Sequence, residues 1–311
     1  MYTKIVYLIN SFIWFLQDFI NLFKRNKIFI CGFFKREKNC FISNNWGDDI
    51  NISFIEYITD FHVLVINNSH LYRFCTPQNY SCIGSVIGYF TNSKTIIWGS
   101  GLISEDMEIP EKPAKVFSVR GPLTRNVLLK HGIDCPPVYG DPALLISRFY
   151  KPKVEKKYKL GIIPHVVDAN NKFIQEFSKI NSDVIVISMS KYADWHEIPD
   201  KICSCEKVLS SSLHGLIISD SYGIPNLWVQ FSENIVGGLF KYLDYFKSVN
   251  RNDTKPLMIN SLMQLEELYE NNQYQLAKNI DYLSILTSCP FKDHIKNLNY
   301  YAENINNSTS I

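Results

Sequence analysis

The feature that most constrains this chain is an alternation, from about residue 28 onward, of short β-rich runs with helix-length segments. Strands separated by helices pair in parallel, with the helices covering the faces of the sheet. Residues 28–33 open the series, and Val63–Ile66, Lys94–Trp98 and Val116–Val119 continue it, with helices expected near 50–59, 83–90 and 122–130. A charged, Pro-containing stretch between Ser147 and Tyr158 has no apolar period and reads as a linker. Beyond it the pattern restarts, with strands at Lys159–Ile163, Val184–Ser188, 207–210 and 226–230 and helices near 171–179, 198–205 and 213–222. From residue 236 the chain reads as helices ending in an Asn-rich tail. The expectation is an α/β protein of two Rossmann-like domains facing across a cleft, residues 28–150 and 151–311. Ligands should then sit at the carboxyl ends of strands.

Residues 1–27 stand apart. Ile, Leu, Phe and Val dominate 5–23, and Lys24, Arg25 and Lys27 come directly after. Asn10, Trp14, Gln17, Asp18 and Asn21 recur at helical spacing, so they share one face of an amphipathic helix. A membrane-spanning helix would place Asp18 and two Asn in hydrocarbon, and no small-residue cleavage site is present. The helix either lies in a membrane interface, basic end toward anionic headgroups, or packs on its own protein or a second subunit. The sequence leaves both open.

Composition narrows the class. Hydrophobic residues are 46% and charged residues 20% of 311, a globular balance. The formal charge of +2 gives no global electrostatic footprint for nucleic acid. Eight cysteines lack any CxxC pair or zinc spacing and read as reduced thiols of a cytoplasmic protein, so neither metal nor cofactor is expected.

Several clusters fall at expected strand ends. Asn45-Trp46-Gly47-Asp48-Asp49 places a glycine and two carboxylates at a helix start, where at least one Asp should serve as a cap. Gly99-Ser100-Gly101 is a turn that lets a ligand approach the backbone. Arg120, before Gly121-Pro122, either holds an anion at a helix N-terminus or pairs with a carboxylate such as Asp141. In Ser210-Ser211-Ser212-Leu213-His214-Gly215, hydroxyls and helix N–H groups can hold an anion while His214 transfers a proton. His165 is a second candidate on the same cleft, and Lys241 and Tyr242 are within reach of it.

Together these clusters resemble the polysaccharide pyruvyl transferase family. Asn45-Trp46-Gly47-Asp48, Ile83-Gly84-Ser85, Trp98 to Gly101 and Ser118 to Thr124 match in order, then Tyr139 to Leu145, Ile163-Pro164-His165 and Ser211 to Gly215. Asp220 to Pro225 extends the last, so the match covers about residues 44–250. The resemblance implies a fold like two-domain GT-B glycosyltransferases and phosphoenolpyruvate as donor substrate. It also implies a pyruvate ketal built on a sugar of a surface polysaccharide or its lipid-linked precursor. A lipid-linked acceptor would place the protein peripherally on the inner membrane face. On this reading His214 is the general acid or the phosphate partner, Asp48 the base on the acceptor hydroxyl with Asp49 its rival, and Arg120 the holder of the donor's anionic end. Some relatives carry Arg where this chain has Ser212, which leaves Ser211, Ser212, His165, Asn45 and Lys241 to share the donor contacts.

Two other readings remain open at this point. A glycosyltransferase using a nucleotide sugar shares the architecture, but the chain offers no Asp-x-Asp metal motif. A non-catalytic scaffold of polysaccharide assembly would explain Ser212 but not the presence of His214, Arg120 and Asp48.

Overall fold

The computed structural model describes residues 2–37, 40–66, 69, 71–72, 75–235, 237–271 and 273–308, without the side chains of 2–9, 40 and 306–308. Among the described residues twelve strands run in chain order. They are β1 (Lys27–Ile30), β2 (Lys35–Glu37), β3 (Cys40–Ile42), β4 (His62–Val65), β5 (Asn79–Ser81) and β6 (Thr95–Trp98). The series continues with β7 (Lys115–Ser118), β8 (Tyr158–Ile163), β9 (Val184–Val186), β10 (Cys205–Ser210), β11 (Asn226–Gln230) and β12 (Leu257–Met258). Two five-stranded sheets form, ordered β4-β1-β5-β6-β7 and β12-β11-β10-β8-β9, and every pairing within them is parallel.

Counting only its own strands, each sheet has the doubly wound order 2-1-3-4-5. The direction of winding reverses between the first and third strands, and the crevice outside their carboxyl ends is where such sheets hold ligands. Here those positions are the ends of β1 and β5 in one sheet and of β8 and β10 in the other. The α/β expectation holds, and both sheets put their switch points where the sequence clusters lie.

Four strands have no counterpart among the apolar runs of the sequence. β2 and β3 form an antiparallel hairpin between β1 and its helix, and β12 pairs at the edge of the second sheet. β5 sits in the middle of the first sheet, yet its Asn79 and Ser81 are buried polar residues. Asn79 Oδ1 accepts from Cys31 Sγ at 3.1 Å and from Thr95 Oγ1 at 2.8 Å, so hydrogen bonds replace the apolar pattern that marks a strand. The stretch expected as a linker starts later: Ile146–Phe149 is helical with Phe149 buried, and only residues 150–157 are irregular.

One apolar core runs through both halves, from Ile28, Phe54 and Trp98 to Leu216, Ile217 and Tyr245. Late helices cross back onto the first half. Trp98 Nε1 donates to Ile285 O at 3.0 Å, and Lys296 N donates to Ile58 O at 2.9 Å. No helix among the described residues is long and apolar enough to cross a membrane. Cys31, Cys75, Cys82, Cys135, Cys203, Cys205 and Cys289 are free thiols, and the side chain of Cys40 lies outside the described residues.

Candidate active site

Beyond the hairpin after β1, Asn45 caps the helix Trp46–Ile58: its backbone is extended, and its side-chain oxygen receives the Gly47 N–H. Asp48 then falls at the third helical position, and Asn45 Nδ2 donates to its Oδ2 at 2.9 Å. That position is favourable for a carboxylate, because the helix dipole and free N–H groups point there. Gly84, after β5, adopts φ +93°, a conformation that a side chain rarely tolerates, and turns the chain past Asp48.

The second sheet supplies the opposite wall. β10 ends at Ser210, and the helix Leu213–Ser221 starts at once, leaving its first N–H groups without intrahelical partners. Ser210 Oγ locks the turn by donating to Ser212 O at 2.8 Å. β8 ends at Ile163, and His165 N donates to Ser211 Oγ at 2.8 Å. Asn45, Asp48, Gly84, Ser85, His165, Ser212, His214 and Lys241 line one cavity of about 220 Å³, with Phe33, Ile103, Val166 and Leu213 as its apolar part.

His214 is the group with the least to do structurally. Its Nε2 is buried with no hydrogen-bond partner among the described residues and stands 3.9 Å from Asp141 Oδ2. A Cβ at Gly47 would overlap His214 Nδ1, so the glycine between Trp46 and Asp48 is there to admit the imidazole. Lys241, from the helix Phe240–Ser248, is buried against the same cavity and forms no ion pair among the described residues.

Other expected site residues stand outside the cavity wall. Arg120 is fully buried behind it: Nε donates to Asp244 Oδ2 at 3.1 Å, and the two η nitrogens to Ser85 Oγ and Leu102 O at 2.6 Å. Its carboxylate is Asp244, 124 residues away, and not Asp141. Gly99, Ser100 and Gly101 likewise support the wall. Ser100 Oγ and Gly101 N both donate to Gly84 O at 2.9 Å, and a Cβ at Gly101 would overlap the Arg120 guanidinium. Asp49 accepts from Ser43 N at 2.7 Å and from the Tyr192 hydroxyl, tying the first half to the second. Ser211 serves His165 and accepts nothing from the cavity side, while Tyr242 OH donates to Ser211 O at 2.6 Å.

Burial sets protonation here. The Asp48 carboxyl is pushed up to about 7, by desolvation first, with Asn45 and Lys241 opposing and Asp49 adding. His214 is driven down to about 3 by burial, then by Arg120 and Lys241; His165 falls to about 4 by burial and Lys241. Lys241 falls to about 8 through burial and Arg120, with Asp48 pulling the other way. From the protein's own groups, both imidazoles are therefore neutral at pH 7, and Asp48 is half ionised.

The Asp48 shift has a consequence for stability. Between its ordinary 3.8 and about 7 the folded state holds a proton that the unfolded chain has lost. Stability from this group therefore falls as pH rises through that window. Asp48→Asn is expected to raise the unfolding midpoint relative to the parent at pH 8, with the gain shrinking to nothing toward pH 4. Midpoints measured across that range check it, and a gain that grows toward acid contradicts it.

Sequence reasoning misses Ser85, Phe33, Ile103 and Asp244 as site residues. Ser85 stands in a matching motif; nothing local marks the other three.

A profile of the polysaccharide pyruvyl transferase family matches residues 42–232, which take in every cavity residue except Phe33 and Lys241. An uncharacterized protein of Acanthamoeba polyphaga mimivirus is 30% identical over 213 residues, 65% of this chain and 69% of that protein. No solved structure matches. With the family's pattern running through both switch points and the cavity between them, the chain belongs to the polysaccharide pyruvyl transferase family.

Proposed function

We propose that the cavity binds phosphoenolpyruvate and that the two halves act as a GT-B-like pair, passing its pyruvyl group to two hydroxyls of a saccharide. One observation carries the reading: a cavity of about 220 Å³ that brings together a buried Lys241 without an ion pair among the described residues, a helix N-terminus and the His214 imidazole, whose Nε2 has no hydrogen bond among those residues. Its volume is below the roughly 300–1,000 Å³ that drug-sized ligands occupy, which suits a three-carbon phosphate and not a nucleotide sugar. Carboxylate and phosphate need cationic and N–H donors, and Lys241, Ser212, Ser85 and the Leu213 helix start offer them.

In the reaction the enol CH₂ takes a proton, C2 becomes electrophilic and one sugar hydroxyl attacks it. The C2–O bond to phosphate breaks with its electron pair, and the second hydroxyl closes the ketal. Of the two hydroxyl protons, one balances the proton consumed at CH₂ and the other leaves on phosphate. His214 donates to CH₂. The donor's charge stabilises the imidazolium, and Asp141, 3.9 Å from Nε2, is the carboxylate that then pairs with it. Asp48, raised to about 7, is a stronger base than an ordinary carboxylate and takes the acceptor proton. Arg120 acts through Ser85, whose hydroxyl it fixes.

Because the donor's anionic groups favour protonated His214, His165 and Lys241, binding should take up protons. Calorimetry of phosphoenolpyruvate binding near pH 8, in two buffers of different ionisation enthalpy, reads that uptake. Uptake that decreases, with weakened binding, in Lys241→Ala is expected. Binding with no proton uptake, or unaffected by Lys241→Ala, contradicts the assignment.

A further inference from the structure

The first helix is mounted the opposite way from a helix of a soluble protein. Tyr2–Asn21 forms one continuous helix, and the polar stripe of its second half faces inward, with Asp18 buried and Trp14, Gln17 and Asn21 half-buried. Asp18 is buried, accepts from Arg36 at 2.8 Å and from Ser69 Oγ at 2.6 Å, and its carbonyl accepts from Tyr72 OH at 3.2 Å. Arg36 also donates to Gln17 at 2.9 Å and lies 5.5 Å from the Trp14 ring centroid. The apolar stripe is left outside. Phe12 (64% exposed), Ile13, Leu16, Phe19 and Ile20 (62%) fall within about 120° of the helix circumference at 3.6 residues per turn, and Phe23 (74%) follows in the turn just past its end. Single exposed apolar residues are ordinary; a contiguous row of six is not.

The charges around this face decide what covers it. Lys24 and Arg25 are exposed at its end and Lys35 is exposed nearby; Asp18 is already consumed by Arg36, and Lys24 Nζ meets His62 Nε2 at 2.7 Å, with Glu56 3.2 Å from the other ring nitrogen. A second copy docking through the same face brings basic rims together, whereas an anionic lipid surface complements them.

We infer that residues 10–25 form a membrane-docking surface, the apolar row entering the headgroup–acyl boundary of an anionic leaflet and Lys24 and Arg25 meeting its phosphates. The surface lies in the interface and does not span it. The inference stands on this helix alone and is independent of the reaction.

Co-sedimentation of the full chain with vesicles, of phosphatidylcholine alone or with phosphatidylglycerol added, tests it. Partition into the anionic vesicles is expected, weakened by salt. Neutralising both charges in Lys24→Gln/Arg25→Gln should lower it by about 30-fold at roughly 1 kcal/mol per basic residue. Phe19→Glu/Ile20→Glu should abolish it, and because these side chains are exposed the unfolding midpoint should not move. Equal binding to neutral vesicles overturns the charge argument. No binding to either, or a stable dimer that Phe19→Glu/Ile20→Glu dissociates, overturns the proposal and assigns the face to a second copy.

Discussion

His214→Ala is expected to lower turnover by about 10²–10⁴-fold, the usual loss for a positioned general acid, while the protein stays folded. The structure makes those two outcomes separable. Among the described residues the buried Nε2 of His214 has no hydrogen bond to lose, so truncation removes an unsatisfied polar atom. The unfolding midpoint should stay level or rise. Phosphate release from phosphoenolpyruvate in the presence of acceptor, with the midpoint measured alongside, checks both. Undiminished turnover removes the acid role from His214, and a collapsed midpoint means that the imidazole is structural.

The second large effect is on stability. Asp244→Ala should cost about 3–5 kcal/mol, because it leaves a fully buried guanidinium without its carboxylate. Asp244 does more than neutralise Arg120: it also accepts from Thr124 N at 2.9 Å and Thr124 Oγ1 at 2.7 Å, joining the helix Phe240–Ser248 to the helix that begins at Pro122. The substitution therefore unpins the two halves at one point. Chemical denaturation of the single variants and of Arg120→Met/Asp244→Leu measures the coupling. The double variant should recover much of the loss, since replacing a buried pair with apolar residues is often neutral or stabilising. A cost below about 1 kcal/mol for Asp244→Ala would show the pair to be solvated in solution.

How far the sequence can be read depends on what each feature rests on. The α/β alternation is legible because most strands are apolar runs, as Val63, Leu64 and Val65 of β4 show. β5 is not, because its buried Asn79 and Ser81 are satisfied by neighbours that only the fold supplies. Asp48, His165, Ser212 and His214 are legible because glycine and hydroxyl runs at strand ends are local signals. Asp49 beside Asp48 looks equivalent, yet one step along the helix turns it to Ser43 and Tyr192. Arg120 shows the limit: one arginine at a strand end could serve an anion or a carboxylate, and the carboxylate that claims it lies 124 residues downstream. Periodicity likewise gives the first helix its two faces, but only Arg36 and Ser69 reveal that the polar one is buried.

The donor identity is tested most directly by thermal unfolding of the full chain with phosphoenolpyruvate and, separately, with a panel of nucleotide sugars. A ligand at 100 times its dissociation constant stabilises by about 2.7 kcal/mol, a readable rise in midpoint without any acceptor present. The account predicts a rise with phosphoenolpyruvate that is lost in Lys241→Ala and absent with the nucleotide sugars. A rise with a nucleotide sugar and none with phosphoenolpyruvate would contradict it.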